Sequence, residues 1–434
     1  MEERTRLTRR DSVLVGLTLF SMFFGAGNLI FPPWLGAQAG RLTLPALAGF
    51  ALSAIGLPVL GVAAVAMAGG LPVLAGRVGR RFAVGFTLLS YLAIGPCLAI
   101  PRTASTSFEM AVRPFAGGGA WLRAGYSLVF FVVAAAIALR PEKLSGILGR
   151  ITGPLLLALL AAITAACLLH PPASPGMALG AWADQPLAEG FRNGYQTMDL
   201  IAALNFGIVI AANLRSRGVQ DEAGLVRGTM RAGWIAGLIL LAVYGSLAAV
   251  GALAGPAFPN AANGAGVLTG LAGQLFGTAG GVVMGLVFLI ACLNTCIGLL
   301  SCCGAYFHEL CPRVSLRGWV WLFAAASFVL SIAGLDAILT VSAPVLEAIY
   351  PVAIVLVALG LCHRWAARAP LCYPVCVAVT GMFSVLLALE SGAGITIPGL
   401  HALPLYGAGL GWLVPALLGA AAGTAARFVP RKRD

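Results

Sequence analysis

Apolar residues dominate twelve stretches of the chain, centred near residues 25, 55, 95, 132, 158, 203, 241, 291, 324, 350, 381 and 413. Each is close to the roughly 20 residues that a helix needs to cross a bilayer. The pattern predicts an all-α integral membrane protein of about twelve transmembrane helices and uses nearly the whole chain. Two stretches break the pattern. The first carries Phe20-Ser21-Met22-Phe23-Phe24-Gly25-Ala26-Gly27-Asn28-Leu29-Ile30-Phe31-Pro32-Pro33, with two glycines, an asparagine and a proline pair inside an apolar run. The sixth reads Gly194-Tyr195-Gln196-Thr197-Met198-Asp199-Leu200-Ile201-Ala202-Ala203-Leu204-Asn205-Phe206-Gly207, polar for a span but without proline. In hydrocarbon, non-helical backbone survives only where protein buries it or where it lines a wet cavity, so an interruption at either place points to a binding site.

The longest connection on one side, His170 to Arg192, is rich in Pro and Gly and separates five spans from seven. Transporters with two inverted halves often interrupt the first helix of each half and bind substrate and ion between them. That reading gives one transmembrane domain over 1–434, with a first repeat at 1–169, a second at 193–361 and two additional helices at 372–426. Helices 1 and 6 are then the discontinuous pair. The segment Gly264 to Phe276 is too short and too rich in small residues to span, and is placed as an outer helix or lid. Glycines four apart, such as Gly266 with Gly270 and Gly281 with Gly285, read as close helix packing.

Composition agrees. With 60% hydrophobic and 10% charged residues, the chain has too little charge to cover a soluble surface. A net charge of +12 raises the question of nucleic acid, and its placement answers it. In the twelve-span scheme one face takes 22 of the 27 Lys and Arg: Arg4, Arg6, Arg9 and Arg10 at the N-terminus, Arg427, Arg431, Lys432 and Arg433 at the C-terminus, and the loops near residues 79, 145, 223, 315 and 366. The other face has Arg41, Arg113, Arg123 and Arg192, with Arg102 left inside a span. The positive-inside rule puts both termini in the cytoplasm and makes the number of spans even. The basic start followed by Ala37-Gln38-Ala39 imitates a secretory signal, but its apolar part is longer than an h-region and reads as a retained helix. The ten cysteines avoid the outer loops and form no disulfide framework, and no Cys or His cluster suggests a structural metal.

A broken helix exposes carbonyls at the end of its first half and amides at the start of its second, with opposite partial charges. Carbonyls near Ser21, Phe24 and Gly25 suit a monovalent cation, and the amides of Ala26, Gly27 and Asn28 suit a carboxylate. A second set of ligands comes from the eighth span, where the Ala291 carbonyl and the side-chain oxygens of Asn294 and Thr295 fall three and four residues apart on one face. Met22, Phe23, Ile94, Ala203, Leu204 and Phe206 are candidate apolar walls, and with no obvious charge among them they favour a neutral aliphatic side chain. Thr197 and Asp199 stand beside the sixth-span interruption, and an acid inside a span is usually functional. Glu347 is a second such acid, with a role that stays open. Arg102, seven residues from Glu109 on one helical face, reads either as a side chain snorkelling to the outer surface or, with Glu109, as a gate or structural ion pair.

The strings FSMFFGAGNLIFPPWLG at 20–36, AIGPCLAIPRTASTSFE at 93–109, GYQTMDLIAALNFG at 194–207, ACLNTCIGL at 291–299 and SAPVLEAIYP at 342–351 resemble the branched-chain amino acid:cation symporter family over most of the length. The resemblance implies a leucine-transporter-type fold. It implies sodium-coupled uptake of leucine, isoleucine and valine across a bacterial cytoplasmic membrane, with sodium as coupling ion and no other cofactor. Ser21, Phe24, Ala291, Asn294 and Thr295 would hold the ion; Ala26, Gly27 and Asn28 would meet the substrate carboxylate, and carbonyls of both broken helices the ammonium. Where the family more often has two adjacent hydroxyl residues, this chain has Asn294-Thr295. Proton coupling through an intramembrane acid, or exchange of other neutral amino acids, is the alternative within transport. A membrane-embedded enzyme is disfavoured by the lack of a His or Lys near a mid-span Ser or Cys, and a non-transporting sensor by the lack of a signalling domain.

Overall fold

The computed structural model describes residues 8–139, 153–219 and 221–425, and among them every regular element is helical. Arg4, Arg6, the basic loop near residue 145 and the basic C-terminal residues from Arg427 onward lie outside the described residues, so their share of the charge asymmetry is untouched by the structure.

The first span is α1 (Arg9–Phe23) and α2 (Ala26–Ala39). The second is α3 (Thr43–Ala51) and α4 (Leu57–Ala68), joined by a π turn over Leu52–Gly56. The third is α5 (Arg80–Leu92) and α6 (Ala99–Ala111), joined by a π turn over Ala93–Cys97 in which Gly95 leaves helical geometry at φ −87°, ψ −129°. Then follow α7 (Ala120–Ala138) and α8 (Gly153–Leu169). The sixth span is α9 (Pro186–Tyr195) and α10 (Asp199–Ser216). After it come α11 (Glu222–Ala254), α12 (Gly264–Leu310), α13 (Leu316–Ser331), α14 (Leu335–Leu361), α15 (Cys372–Ala393) and α16 (Leu413–Ala425).

Among the described residues, seven helices are long and apolar enough to cross a membrane by length and composition. Pro154–Leu169, Leu316–Ser331 and Leu413–Ala425 are apolar but shorter. The first and sixth spans are cut by their own interruptions, and with them the twelve stretches of the sequence are all accounted for.

Helix ends are fixed by side chains that replace missing intrahelical acceptors. Thr8 accepts from Asp11 N at 3.1 Å, Asp221 from Gly224 N at 2.8 Å, Asn263 from Ala265 N at 3.1 Å, and Ser315 from Gly318 N at 3.1 Å. Within α12, Gly277 at φ 59°, ψ −145° separates residues 264–276 from the long helix behind them, which makes the Gly264 to Phe276 segment a helix of its own.

The packing places the two broken spans at the centre. α2 lies against α11 and α12, α10 against α4, and α6 against α12. The approach of α2 is close: a methyl group on Gly36 would overlap the Ala248 carbonyl, one on Gly251 the Pro33 carbonyl, and one on Gly264 the Ile30 carbonyl. Small residues that let backbones meet are how membrane helices gain contact where lipid gives no hydrophobic incentive.

Candidate functional site

α1 stops at Phe23 because Phe24 (φ −73°, ψ 97°) and Gly25 (φ −133°, ψ −156°) are extended, and α2 restarts at Ala26. Asn28 turns its Oδ1 back onto the Gly25 N–H at 3.0 Å, so the break is capped by its own sequence. Gly25 also allows α12 to approach: any Cβ there would run into the Thr295 side chain. In the sixth span, Gln196, Thr197 and Met198 separate α9 from α10, and Met198 adopts a left-handed φ of 65°. Thr197 Oγ1 donates to the Gly194 carbonyl at 2.8 Å, and Arg102 Nη1 donates to the Gln196 carbonyl at 2.7 Å.

Between the two breaks lies a small cavity of about 30 Å³. Gly25, Ala26, Gly27 and Asn28 line it from the first break, and Thr197, Met198 and Asp199 from the second. Met22, Phe23, Ile94, Ala99, Ala202, Phe206 and Leu299 supply the apolar wall, with Phe23 and Phe206 tilted against each other at 6.1 Å. Arg102, Thr103 and Thr295 complete the lining.

The two breaks are bonded to each other. Asn28 Nδ2 donates to Asp199 Oδ2 at 2.8 Å and to the Tyr244 hydroxyl, which in turn donates to Asp199 Oδ2 at 3.1 Å. All three residues are buried. A buried carboxylate is tolerated only when it is hydrogen-bonded, and here the sixth-span carboxylate is bonded by one residue from the first broken span and one from α11.

Of the oxygen set expected around a cation, the structure brings the Phe24 carbonyl and Thr295 Oγ1 to 3.3 Å. Ser21, Ala291 and Asn294 are buried in the same two helices, α1 and α12, which pack together. The Asn28 side chain caps Gly25 and holds Asp199, while its backbone N–H lies in the first turn of α2 with those of Ala26 and Gly27.

Two expectations are corrected. Ala203 does not line the cavity. It turns toward α4, where a methyl group on Gly61 would sit 3.6 Å from the Ala203 Cβ and 3.8 Å from Leu204 Cδ2. Ala202 takes the wall position, one residue and about 100° of helix away. Arg102 and Glu109 do not pair either. Seven residues are two turns, about 10.5 Å of rise; Glu109 pairs with Arg113, and Arg102 is buried in the cavity wall. Tyr244 was not singled out by the sequence, since one tyrosine in an apolar span carries no motif. The Gly95 kink was missed as well, although Gly95-Pro96 marked it.

Glu347 gains a partner. It pairs with Arg192 at 2.8 Å and accepts from Ser391 Oγ at 2.6 Å, tying α9 to α14 and α15. At the opposite ends of the broken spans, Asp11 pairs with Arg217 at 2.8 Å, tying the start of α1 to the end of α10.

Comparison with known proteins agrees with this arrangement. Residues 8–429 match the family described as branched-chain amino acid transport protein. The chain is 41% identical over 416 residues to the branched-chain amino acid transport system 3 carrier protein of Pseudomonas aeruginosa, covering 95% of this chain and 94% of that one. It is 36% identical over 422 residues to the branched-chain amino acid permease BraB of Bacillus subtilis, covering 95% of both. Among solved structures it is similar to Mhp1, a nucleobase-cation-symport-1 family transporter in a closed conformation, with a TM-score of 0.62 at 12% identity over 98% of this chain and 94% of that one. It is also similar to MhsT in complex with L-phenylalanine, with a TM-score of 0.54 at 16% identity over 96% and 99%. Those likenesses establish the leucine-transporter-type fold, a five-plus-five inverted repeat with helices 1 and 6 discontinuous. With that fold and a match along nearly its whole described length, the chain belongs to the branched-chain amino acid transport protein family, whose members are membrane carriers and not enzymes.

Proposed function

We propose that this protein imports leucine, isoleucine and valine by sodium-coupled symport through alternating access. The single observation that carries the reading is the meeting of the Phe24 carbonyl with Thr295 Oγ1 at 3.3 Å on the rim of a cavity whose other wall is the break before Asp199. Carbonyl, hydroxyl and amide oxygens suit a hard cation. Rotation of the Thr295 proton away from Phe24 turns that contact into two ligands, with Ser21, Ala291 and Asn294 as the remaining candidates.

The start of α2 then receives the substrate carboxylate, Asp199 and the carbonyls of both breaks receive the ammonium, and the walls formed by Met22, Phe23, Ile94 and Phe206 receive the aliphatic side chain. Ion binding orders the Phe24–Gly25 junction and so prepares the amides beside it. Binding of both closes the outer side, and α1 and α9 with their partners rock to open the inner one. In this reading residues 1–169 and 193–361 are the two repeats, residues 372–426 are an addition, and the protein sits in a bacterial inner membrane with both termini in the cytoplasm.

One observation favours a second reading. Asp199 is a buried acid inside the site, bonded to Asn28 and Tyr244, and an acid there is able to carry a proton. Purified protein in liposomes separates the two. Radiolabelled leucine uptake is expected under an inward sodium gradient and not under a proton gradient alone; uptake driven only by protons rejects sodium coupling. Thr295→Ala is expected to raise the sodium concentration for half-activation by roughly tenfold, the worth of one ligand bond of about 1.4 kcal/mol. Unchanged sodium activation in that variant rejects the ion site.

A further inference from the structure

The amide end of the cavity carries more positive charge than a broken helix alone provides. α2 is 14 residues long, and the N–H groups of its first turn have no intrahelical acceptor and a positive partial charge. Arg102 is brought against that turn by α6, behind the Gly95 kink. It is 3% exposed and lines the cavity. Its Nη2 is so near α2 that a methyl group on Gly27 would lie 2.9 Å from it.

The guanidinium is only partly satisfied. Nη1 donates to the Gln196 carbonyl, the Phe31 ring lies 5.8 Å from Cζ, and Nε has no acceptor. Among the described residues no carboxylate comes within ion-pair distance of it. Asp199 lines the same cavity and is the counter-charge that Arg102 feels, but it stays beyond ion-pair distance, and its Oδ2 already accepts from Asn28 and Tyr244. A desolvated cation is costly without an anion in direct contact, and a guanidinium fork matches a carboxylate in shape as well as charge. The buried arginine and the helix start therefore address one volume, and both ask for a negative group there.

We propose that Arg102 is an anchor of the substrate carboxylate, sharing that group with the N–H groups of Ala26 and Gly27. It thereby makes the carrier select amino acids over amines with the same side chain. The inference rests on the reading that a branched-chain amino acid occupies this cavity. It assigns to a charged side chain part of a task that the helix break alone was expected to perform. Gly27 acquires a reason: any larger residue would push the guanidinium away.

The test is competition against radiolabelled leucine bound to the purified full chain, using unlabelled leucine and leucinol, which replaces the carboxylate with an uncharged CH2OH group and keeps the ammonium and side chain. The wild type is expected to bind leucinol roughly 10- to 100-fold more weakly than leucine, the range for losing charge-assisted hydrogen bonds. Arg102→Gln is expected to weaken leucine by about the same factor while moving leucinol less than about threefold, so that the gap closes. Gly27→Ala should close it in the same direction, and Arg102→Lys, which keeps the charge and loses the fork, should retain part of it.

Equal weakening of leucine and leucinol in Arg102→Gln would make Arg102 a tether for Gln196 only and overturn the proposal. If that variant does not fold, the wild type and Gly27→Ala decide: no gap in the former, or an unchanged gap in the latter, overturns it. A wild type that binds no leucine at all strikes the transport reading itself, and is distinguishable from a wild type that binds leucine and leucinol alike.

Discussion

The two helix breaks face each other across one cavity and are built in opposite ways. The first is written into its own sequence. Gly25 admits Thr295, Asn28 caps the restart within three residues, and Pro32 and Pro33 follow. The second has neither glycine nor proline at Gln196-Thr197-Met198, and its geometry depends on elements far away in the chain. Arg102 holds the Gln196 carbonyl from the third span, and Asn28 and Tyr244 hold Asp199 from the first and seventh. A left-handed φ at Met198 costs about 1–2 kcal/mol for a residue with a Cβ, so it persists only because its surroundings impose it. One break is a local property of the chain and the other a property of the assembled bundle.

This contrast can be broken most severely at Gly25. Gly25→Val should separate α12 from the break, with an overpacking cost of about 1–3 kcal/mol and a drop in sodium-driven leucine uptake of up to roughly 100-fold. Uptake at the wild-type level would show that the close approach of Thr295 is immaterial. Next, Asp199→Asn removes the charged acceptor shared by Asn28 and Tyr244. Leucine binding should weaken by roughly 10-fold or more, and calorimetry showing wild-type affinity would dissociate the triangle from the site. Tyr244→Phe deletes one hydroxyl from that triangle, about 1 kcal/mol, and a roughly fivefold loss of affinity is expected; no loss would mean that Asn28 alone holds Asp199.

The smallest effect on uptake is expected at Met198. Met198→Gly relieves a left-handed penalty of about 1–2 kcal/mol but deletes a buried side chain, a loss of about 2–5 kcal/mol, so thermal stability should fall by roughly 1–3 kcal/mol. A rise in stability would mean that the backbone strain at this break outweighs the packing of the methionine.

The same contrast explains what was legible beforehand. The twelve stretches and the first break were readable because apolar length and the Gly25-Ala26-Gly27-Asn28 run are local signals. The sixth-span break was found by its polarity and by analogy between halves. Ala203 was put on the wrong face because α10 is apolar nearly all round, which leaves no stripe from which to set its rotation. Arg102 was matched with Glu109 because only neighbours along one helix are visible in a sequence; its observed partners, the Gln196 carbonyl and the Phe31 ring on α2, lie in other spans. Tyr244 was invisible for the same reason.

The glycine contacts around α2 have a mechanical consequence. Where Gly36, Gly251 and Gly264 meet backbone carbonyls, no gap remains for one helix to slide past the next, and densely packed interiors shift as blocks. α2, α11 and the helix over 264–276 therefore meet without slack, so that a displacement of any one of them has to be taken up by the other two.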